Sequence, residues 1–140
     1  MRVFTTIFLA ETLRANIESG LAMNGVRYGG YQLERDKFKG LMQRAFAELD
    51  VLVAPILPVI GVRYDSYDKF LADIGGMLRF TAPFNMAGNP TVTLPCGFST
   101  EGLPIGFQLI GPHLSEARLR RAAHAFQQTT DWHLKHPELG

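Results

Sequence analysis

The stretch FTAPFNMAGNPTVTLPCGFSTEGLPIGFQLIG, residues 80–111, indicates how the rest of the chain must be arranged. Residues 91–94 and 105–110 are short runs rich in β-branched and aromatic side chains, and prolines and glycines bound both runs. The polar loop between them, residues 99–102, ends in Gly102, a residue suited to a left-handed turn conformation. The pattern predicts an antiparallel hairpin followed by a helix.

Apolar side chains on both sides of the hairpin predict a sheet that is covered on both faces. Phe107 and Leu109 can line one face together with Ile105, but Ile110 is apolar out of strict alternation. Gly106 gives up side-chain packing inside the second strand, which favours a bulge or a closely approaching backbone at that position.

Two prolines predict the limits of one strand, and a uniformly apolar run predicts another strand. Pro90 and Pro95 have no N–H group to donate to a ladder, so they are predicted to bound the first hairpin strand. Residues 51–54, Val-Leu-Val-Ala, are apolar throughout, which predicts a short central strand covered on both sides.

Two helices are predicted from apolar periodicity. One runs from about Leu33 to Leu49, and the other follows Ser115, a good N-cap residue before Glu116. The apolar stripe of the first helix consists of Phe38, Leu41, Met42, Ala45, Phe46 and Leu49, and that of the second of Leu119, Ala122, Ala123 and Phe126.

Weaker patterns describe the remaining chain. Residues 3–18 predict a helix, residues 28–31 a glycine-rich loop and residues 55–70 a surface excursion. Residues 71–78 predict a short helix that is interrupted at Gly75-Gly76.

Composition places the chain among globular proteins. The 140 residues are 46% hydrophobic and 19% charged, with a net charge of +1. So small a net charge gives no reason to expect nucleic acid or an anionic membrane as a partner, and no apolar run is long enough to cross a bilayer. The single cysteine, Cys96, excludes an internal disulfide and fits a reducing, cytoplasmic compartment.

Histidine and cysteine give no clear metal or nucleophile site. His133 and His136 stand three residues apart, but zinc needs three or four ligands, so surface or capping histidines are favoured. No metal and no cofactor are predicted. Cys96 has no histidine within a few residues, which favours a structural thiol, although chain distance does not exclude His113 or His124 as spatial neighbours.

Phe80, Phe84, Asn85 and Met86 form the candidate substrate-binding cluster. Aromatic and apolar side chains with one amide group are typical of the walls of small-ligand pockets. The alternative is that the phenylalanines belong to the core and that Asn85 caps local backbone groups. The residues alone leave both interpretations open.

Several motifs of this region occur in one order and resemble a known family. They are PFN at 83–85, Gly88, Pro90, LPCGF at 94–98, GLPIGFQLIG at 102–111 and TDWH at 130–133. In this order they resemble the C-terminal portion of the amidase signature family, which includes amidases and amidotransferase subunits of the A type. The resemblance is dense over residues 80–133 and weaker over 35–60. It implies a mixed-sheet α/β fold with short strands covered by helices, and a carbon–nitrogen (amide) hydrolase activity.

The same resemblance implies catalytic residues that this sequence does not contain. Family members use a Ser-Ser-Lys catalytic group with a loop of the form GGSSGG, and no such loop occurs in these 140 residues. The serines are Ser19, Ser66, Ser99 and Ser115, no two of them adjacent, and the lysines Lys37, Lys39, Lys69 and Lys135 have no comparable setting. No catalytic residue is therefore predicted, and the chain alone is expected to be inactive.

Residues 1–140 are accordingly interpreted as a single partial domain, the C-terminal part of an amidase-type α/β domain. A small amide substrate is expected only when an N-terminal catalytic segment completes the site, and by resemblance the cluster of Phe80 to Met86 then borders the acyl pocket. Uncovered strand edges and apolar faces predict self-association or a partner chain. The alternative is a non-catalytic binding or assembly module derived from the amidase scaffold.

One position departs from part of the family. In the glutamine-using amidotransferase subunits an acidic residue stands two positions before the phenylalanine that matches Phe80. Leu78 occupies that position here and Arg79 follows it. The resemblance therefore implies an amide more apolar than glutamine as the substrate of the parent enzyme.

Overall fold

The computed structural model describes residues 11–61 and 72–136, and the chain divides into two compact units. The first unit, Met1–Asp36, contains α1 (Glu11–Leu21). Helix α2 (Gly25–Ala45) runs across the boundary between the units, and the second unit, Lys37–Gly140, contains the sheet and the later helices. The helix predicted over residues 3–18 is confirmed from residue 11 onward, and its earlier residues lie outside the described ranges.

The longest helix, α2 (Gly25–Ala45), contains the segment 28–31, so the loop predicted there is wrong. The reason lies at the start of the helix, where the Asn24 Oδ1 atom accepts a hydrogen bond of 2.9 Å from the Arg27 N–H. The Arg27 Nε atom donates to the Tyr31 hydroxyl at 3.0 Å one turn later. These interactions stabilise the first turns and offset part of the ~1 kcal/mol that each glycine costs in a helix.

Three antiparallel strands form the sheet in the order β1-β3-β2. The strands are β1 (Leu52–Pro55), β2 (Thr91–Phe98) and β3 (Pro104–Ile110). The predicted strand at 51–54 is confirmed, but its central position is wrong, because both β1 and β2 pair with β3. Val53 on β1 is 61% exposed, so the coverage predicted for both sides of this strand is wrong as well. Among the described residues β1 is an edge strand.

The hairpin of β2 and β3 has the predicted antiparallel pairing, with a bulge in β2. Pro95 pairs with Gly106 and Gly97 with Ile105, so Cys96 is the extra residue. A Cβ atom on Gly106 would lie 2.6 Å from the Ile56 Cδ1 atom, so a side chain approaches closest there and not the backbone that was expected as the alternative to a bulge. The prediction that Pro95 ends β2 is wrong, because an edge strand tolerates a proline beside a bulge.

One face of the sheet packs against α5 (Glu116–Gln128). This α5 face has as its buried core Leu94 and Leu109 from the hairpin with Leu119 and Ala123 from the helix. The Phe107 and Phe126 rings meet edge to face with centroids 5.0 Å apart. The predicted helix and its stripe are confirmed. Ser115 occupies the N-cap position, but its hydroxyl donates to the Pro112 carbonyl at 2.6 Å and does not cap the helix.

The opposite face of β3 packs against the end of α2 and the short helix α4 (Ala82–Ala87). Ile110 follows Leu109 in the strand and therefore points to the other side, where Phe46 and Phe84 bury it completely. We call this the α4 face. The stripe predicted for α2 is buried only in part, since Phe46 is buried while Leu41, Ala45 and Leu49 are exposed.

Two shorter elements complete the described chain. Helix α3 (Ile74–Met77) contains Gly75-Gly76, so the interruption predicted there is wrong. The Asp73 Oδ1 atom accepts a hydrogen bond of 3.2 Å from the Gly76 N–H, which stabilises this turn. A 3-10 helix, Trp132–Leu134, packs the indole of Trp132 near the Phe98 ring, with centroids 6.1 Å apart. Most of the excursion predicted over 55–70 lies outside the described residues.

Candidate functional site

The candidate site is built around α4, whose sequence sets both of its ends. Pro83 stands in the first turn, where its missing N–H group is no loss, and Gly88 ends the helix in a left-handed conformation with φ of 80°. The Phe84 carbonyl accepts hydrogen bonds from the N–H groups of Gly88 and Asn89, at 2.8 and 3.0 Å. The motif PFNMAGN is therefore one helical turn with a closed C-terminus.

The four predicted substrate-binding residues lie along this segment but differ in exposure. Phe84 is only 8% exposed and belongs to the α4 face of the core. Phe80 is half-buried just before the helix, with the Arg79 guanidinium 5.8 Å from its ring centroid. Asn85 and Met86 are exposed on the helix. The core interpretation thus describes Phe84, while the side chains of Asn85 and Met86 are accessible from outside the chain.

A buried amide that the sequence patterns did not single out holds this segment to the sheet. Gln108, in the middle of β3, is only 3% exposed. Its Nε2 atom donates to the Pro55 carbonyl at 2.8 Å and to the Phe80 carbonyl at 2.5 Å. We call this pair of bonds the Gln108 clamp. The sequence signal that could have identified Gln108 is its position as the only polar side chain in the apolar run IGFQLIG.

A cleft of about 240 Å³ lies at the other end of α4, lined by Gln43, Phe46, Asn89, Pro112 and His113. The His113 Nε2 atom lies 2.9 Å from the Ala87 carbonyl, and because a carbonyl only accepts, this nitrogen carries the proton. The Asn89 Nδ2 atom donates to the Gly111 carbonyl at 2.8 Å. Both side chains therefore fasten α4 and its C-terminus to the end of β3.

The polar side chains of Asn89 and His113 in this cleft bond to backbone carbonyls and so stabilise the local structure. None of its five lining residues is a serine, a threonine, a cysteine or a lysine, side chains that attack carbonyl carbon. The one possible base, His113, is bonded to the Ala87 carbonyl through Nε2. Asn89 Oδ1 is buried and has no hydrogen-bond partner among the described residues. The cleft can hold a small molecule, but its own side chains supply no nucleophile.

Ser99, Ser115 and Cys96 do not line this cleft. The Ser99 Oγ atom accepts hydrogen bonds from the N–H groups of Glu101 and Leu103, at 3.2 and 3.1 Å, and so shapes the hairpin loop. Ser115 bonds to Pro112, and Cys96 is a free, half-buried thiol at the bulge. Over residues 11–61 and 72–136, no three His, Cys, Asp or Glu side chains converge on a metal position.

Comparison with known proteins assigns the family. The family model described as Amidase matches residues 3–119 of this chain. The chain belongs to the amidase family. The α/β fold that the motif resemblance implied is confirmed: the described chain contains a small antiparallel sheet with helices, and solved structures of amidases share its fold.

Curated relatives of this amidase-family chain include A-type subunits of glutamyl-tRNA(Gln) amidotransferase. That of Cupriavidus necator is 39% identical over 139 residues, which are 93% of this chain and 27% of the relative. That of Synechococcus sp. is 41% identical over 141 residues, 95% of this chain and 26% of the relative. The chain thus spans about a quarter of the length of the curated relatives it matches.

Solved amidase structures share the fold. A 6-aminohexanoate cyclic dimer hydrolase superposes with a TM-score of 0.80 at 24% identity, covering 98% of this chain and 31% of that one. The A-type glutamyl-tRNA(Gln) amidotransferase protein from Thermotoga maritima is 29% identical with a TM-score of 0.57, covering 89% of this chain and 29% of that one. No helix in the described part of the chain is long and apolar enough to span a membrane.

Proposed function

We propose that this chain is the C-terminal segment of an amidase-type carbon–nitrogen hydrolase. It supplies sheet strands and part of the substrate-pocket wall, whereas the Ser-Ser-Lys catalytic group comes from an N-terminal segment. The observation that carries the proposal is that the amidase family model spans residues 3–119 while the sequence contains no GGSSGG loop and no adjacent serines. A cytoplasmic location agrees with the single free thiol, Cys96.

The proposed wall is the exposed side of α4 with the residues before it. Phe84 anchors the helix in the core, so Asn85 and Met86 are held at the surface on one short, closed turn. An anchored apolar side chain beside one amide group is typical of a pocket that orients a small substrate. In this arrangement Asn85 supplies a hydrogen-bond donor or acceptor and Met86 an adaptable apolar contact.

The amide substrate is proposed to be more apolar than glutamine. The position that is acidic in glutamine-using subunits is Leu78, which is 42% exposed. The cation next to it, Arg79, donates from Nε to the Gly76 carbonyl at 2.8 Å and lies over the Phe80 ring. Without a carboxylate there, the segment has no acidic partner for the α-ammonium group of glutamine.

The proposal also requires a partner chain or a preceding segment that covers the sheet. On β1 the outward-facing Val53 is 61% exposed, and the strand has only one hydrogen-bonded neighbour in the described part of the chain. An open strand edge of this kind pairs readily with another strand. The same observation favours a second candidate function, a non-catalytic binding or assembly module that uses this edge to recognise its partner.

The two functions are distinguished by completing the domain. The chain is prepared alone and fused behind the N-terminal region of the Cupriavidus necator relative, and hydrolysis of an aryl amide and of glutamine is measured for both. We expect no hydrolysis by the chain alone and turnover of the aryl amide by the fused protein, with glutamine the poorer substrate. A folded fusion that turns over neither amide would overturn the hydrolase proposal in favour of the module.

One control concerns the only thiol. Cys96→Ala is expected to leave the turnover of the fused protein unchanged, because Cys96 occupies the bulge in β2 and not the segment of α4. Hydrolysis by the unfused chain that disappears in Cys96→Ala would show that this thiol is a nucleophile.

A further inference from the structure

We infer that Gln108 is a positioning residue for the amide pocket, because its side chain fixes the segment 80–88 relative to the sheet. The inference rests on the proposed function insofar as that segment is the pocket wall. The clamp itself is a property of the chain alone and can be tested without activity.

The first argument is the match between donors and acceptors. A glutamine amide nitrogen carries two hydrogens, and two carbonyl oxygens, those of Pro55 and Phe80, lie within hydrogen-bond distance of it. Gln108 is 3% exposed, so water has little access to the pair. A carboxylate at this position has no hydrogen to donate, and a thioether or alkyl group has none either. Glutamine is thus the side chain of this length that satisfies both carbonyls.

The second argument is where the two carbonyls stand in the chain. Pro55 is the last residue of β1, and Phe80 lies two residues before α4 begins at Ala82. The clamp therefore joins the two ends of the connection formed by residues 56–79. It holds the residue before the first turn of α4 beside the end of β1.

The third argument is that the clamp is attached to the most constrained strand. Gln108 pairs with Ala54 on β1 and with Thr93 on β2, so its backbone is held on both sides. Two residues later, Ile110 is fully buried against Phe84 on the same face of β3. One strand thus fixes the start of α4 through a hydrogen bond and its middle through an apolar contact.

The experiment is native-state hydrogen exchange of the intact chain carrying Gln108→Met, which keeps the side-chain length and removes both donors. The reporters are the amides of Asn85, Gly88 and Asn89, which donate within and just after α4. We expect their exchange to accelerate about tenfold, the factor that ~1.4 kcal/mol of lost local stability produces. Amides of the β2–β3 hairpin are expected to stay within about twofold, because that pairing does not involve the side chain.

A matched control separates the clamp from the chemistry of the substitution. Gln128→Met places the same change on an exposed residue at the end of α5 and is expected to leave all reporters unchanged. Equal exchange of α4 amides in Gln108→Met and the unsubstituted chain would overturn the inference. So would equal acceleration of the hairpin amides, because Gln108 would then support the fold as a whole and not the segment.

A kinetic experiment tests whether the Gln108 clamp affects the pocket. In the fused protein that turns over an aryl amide, Gln108→Met is expected to raise KM about tenfold with a smaller change in kcat, since the wall is displaced while the serine nucleophile is untouched. An unchanged KM beside accelerated α4 exchange would refute the pocket role. If the unsubstituted fusion is inactive, the proposed function fails while the exchange result still decides the clamp.

Discussion

The two faces of the central strand β3 are built in different ways. The α5 face joins residues that are close in the chain, with Leu94 and Leu109 from the hairpin packed against Leu119 from the following helix. The α4 face joins β3 to distant segments, through Phe46 after α2, Phe84 in α4 and the Gln108 clamp to Pro55 and Phe80.

The α5 face mainly stabilises the fold, whereas the α4 face mainly positions the segment 80–88. Local apolar packing on the α5 face forms with little loss of loop entropy and supplies four of the eight buried hydrophobic residues in the described part of the chain. The α4 face holds residues far apart in sequence by one polar clamp and a small apolar cluster. Removal of a contact is therefore expected to act globally on the α5 face and locally on the α4 face, whereas a charge buried on either face destabilises the whole chain.

The largest effect is expected for Leu119→Ala on the α5 face. Leu119 is 2% exposed, and truncation of a buried leucine leaves a cavity that costs about 2–5 kcal/mol. Urea unfolding followed by circular dichroism measures the loss. Leu41→Ala is the control, because Leu41 is 54% exposed and its truncation should cost within about 0.5 kcal/mol. Equal losses for both would show that the α5 face is not the core.

Gln108→Glu is expected to destabilise the chain by about 3 kcal/mol at neutral pH, because it aims a buried carboxylate at two carbonyl oxygens. Burial and these oxygens raise the pKa of the introduced carboxyl above its unfolded value of about 4.3. The folded state then binds the proton more tightly, so the deficit is small below that unfolded value and grows as pH rises through the folded pKa.

Melting temperatures of Gln108→Glu and of the unsubstituted chain, compared at several pH values, measure this deficit. Gln108→Met is the control, since it loses the same bonds but introduces no titrating group and should show a pH-independent difference. A deficit in Gln108→Glu that does not change with pH would mean that the introduced carboxyl reaches water and that the clamp site is open.

Gly111→Ala tests the junction between the faces and is expected to cost about 1–3 kcal/mol by overpacking. A methyl group at Gly111 would overlap the Ser115 hydroxyl and lie 3.2 Å from the Leu119 Cγ atom. Adding Ser115→Ala should recover part of the loss, which urea unfolding of the double variant measures. Gly29→Ala is the control, because nothing lies within 4 Å of its Cβ position and alanine favours the helix. A double variant no more stable than Gly111→Ala would exclude Ser115 as the obstacle.

The smallest effect is expected for Arg118→Ala, which removes an ion pair with Asp50 at an N–O distance of 2.7 Å. The side chains are 44% and 88% exposed, so solvent screens the pair and its loss should cost no more than about 1 kcal/mol. Thermal unfolding in low and high salt measures the difference, which should vanish in high salt. A loss that persists in high salt would mean that Arg118 acts by packing.

The hairpin and α5 could be predicted because their signals are local. Alternating apolar residues, the loop ending in Gly102 and the stripe beginning at Leu119 each depend on neighbours within a few residues. Gly106 indicated that a bulge could form in the hairpin. The position of the bulge, at Cys96 in the facing strand, could not be predicted from the sequence.

The errors have two physical causes. Pairing between distant segments decided the position of a strand, and a capping interaction decided that a glycine-containing segment is helical. The apolar segment 51–54 has the composition of a central strand, yet pairing made it an edge. The glycines of 28–31 resemble a loop, yet a cap at Asn24 and the bond from Arg27 to Tyr31 support a helix there. Local pattern carries no information on which strand pairs with which.

The residues of the proposed site were named from the sequence, but the groups that hold them in place were not. The motif PFN names the segment, and only coordinates separate buried Phe84 from exposed Asn85 and Met86. Gln108 acts on carbonyls of residues 53 and 28 positions away, a relation that no local pattern contains.

The central claim is that the exposed side of α4 is a wall of an amide pocket. Its most direct test is the KM of the fused protein for an aryl amide after Met86→Ala, with Leu134→Ala as a control on another exposed apolar residue, outside α4. Loss of an apolar wall contact predicts a KM about tenfold higher for Met86→Ala and no change for Leu134→Ala. An unchanged KM in both variants would contradict the claim.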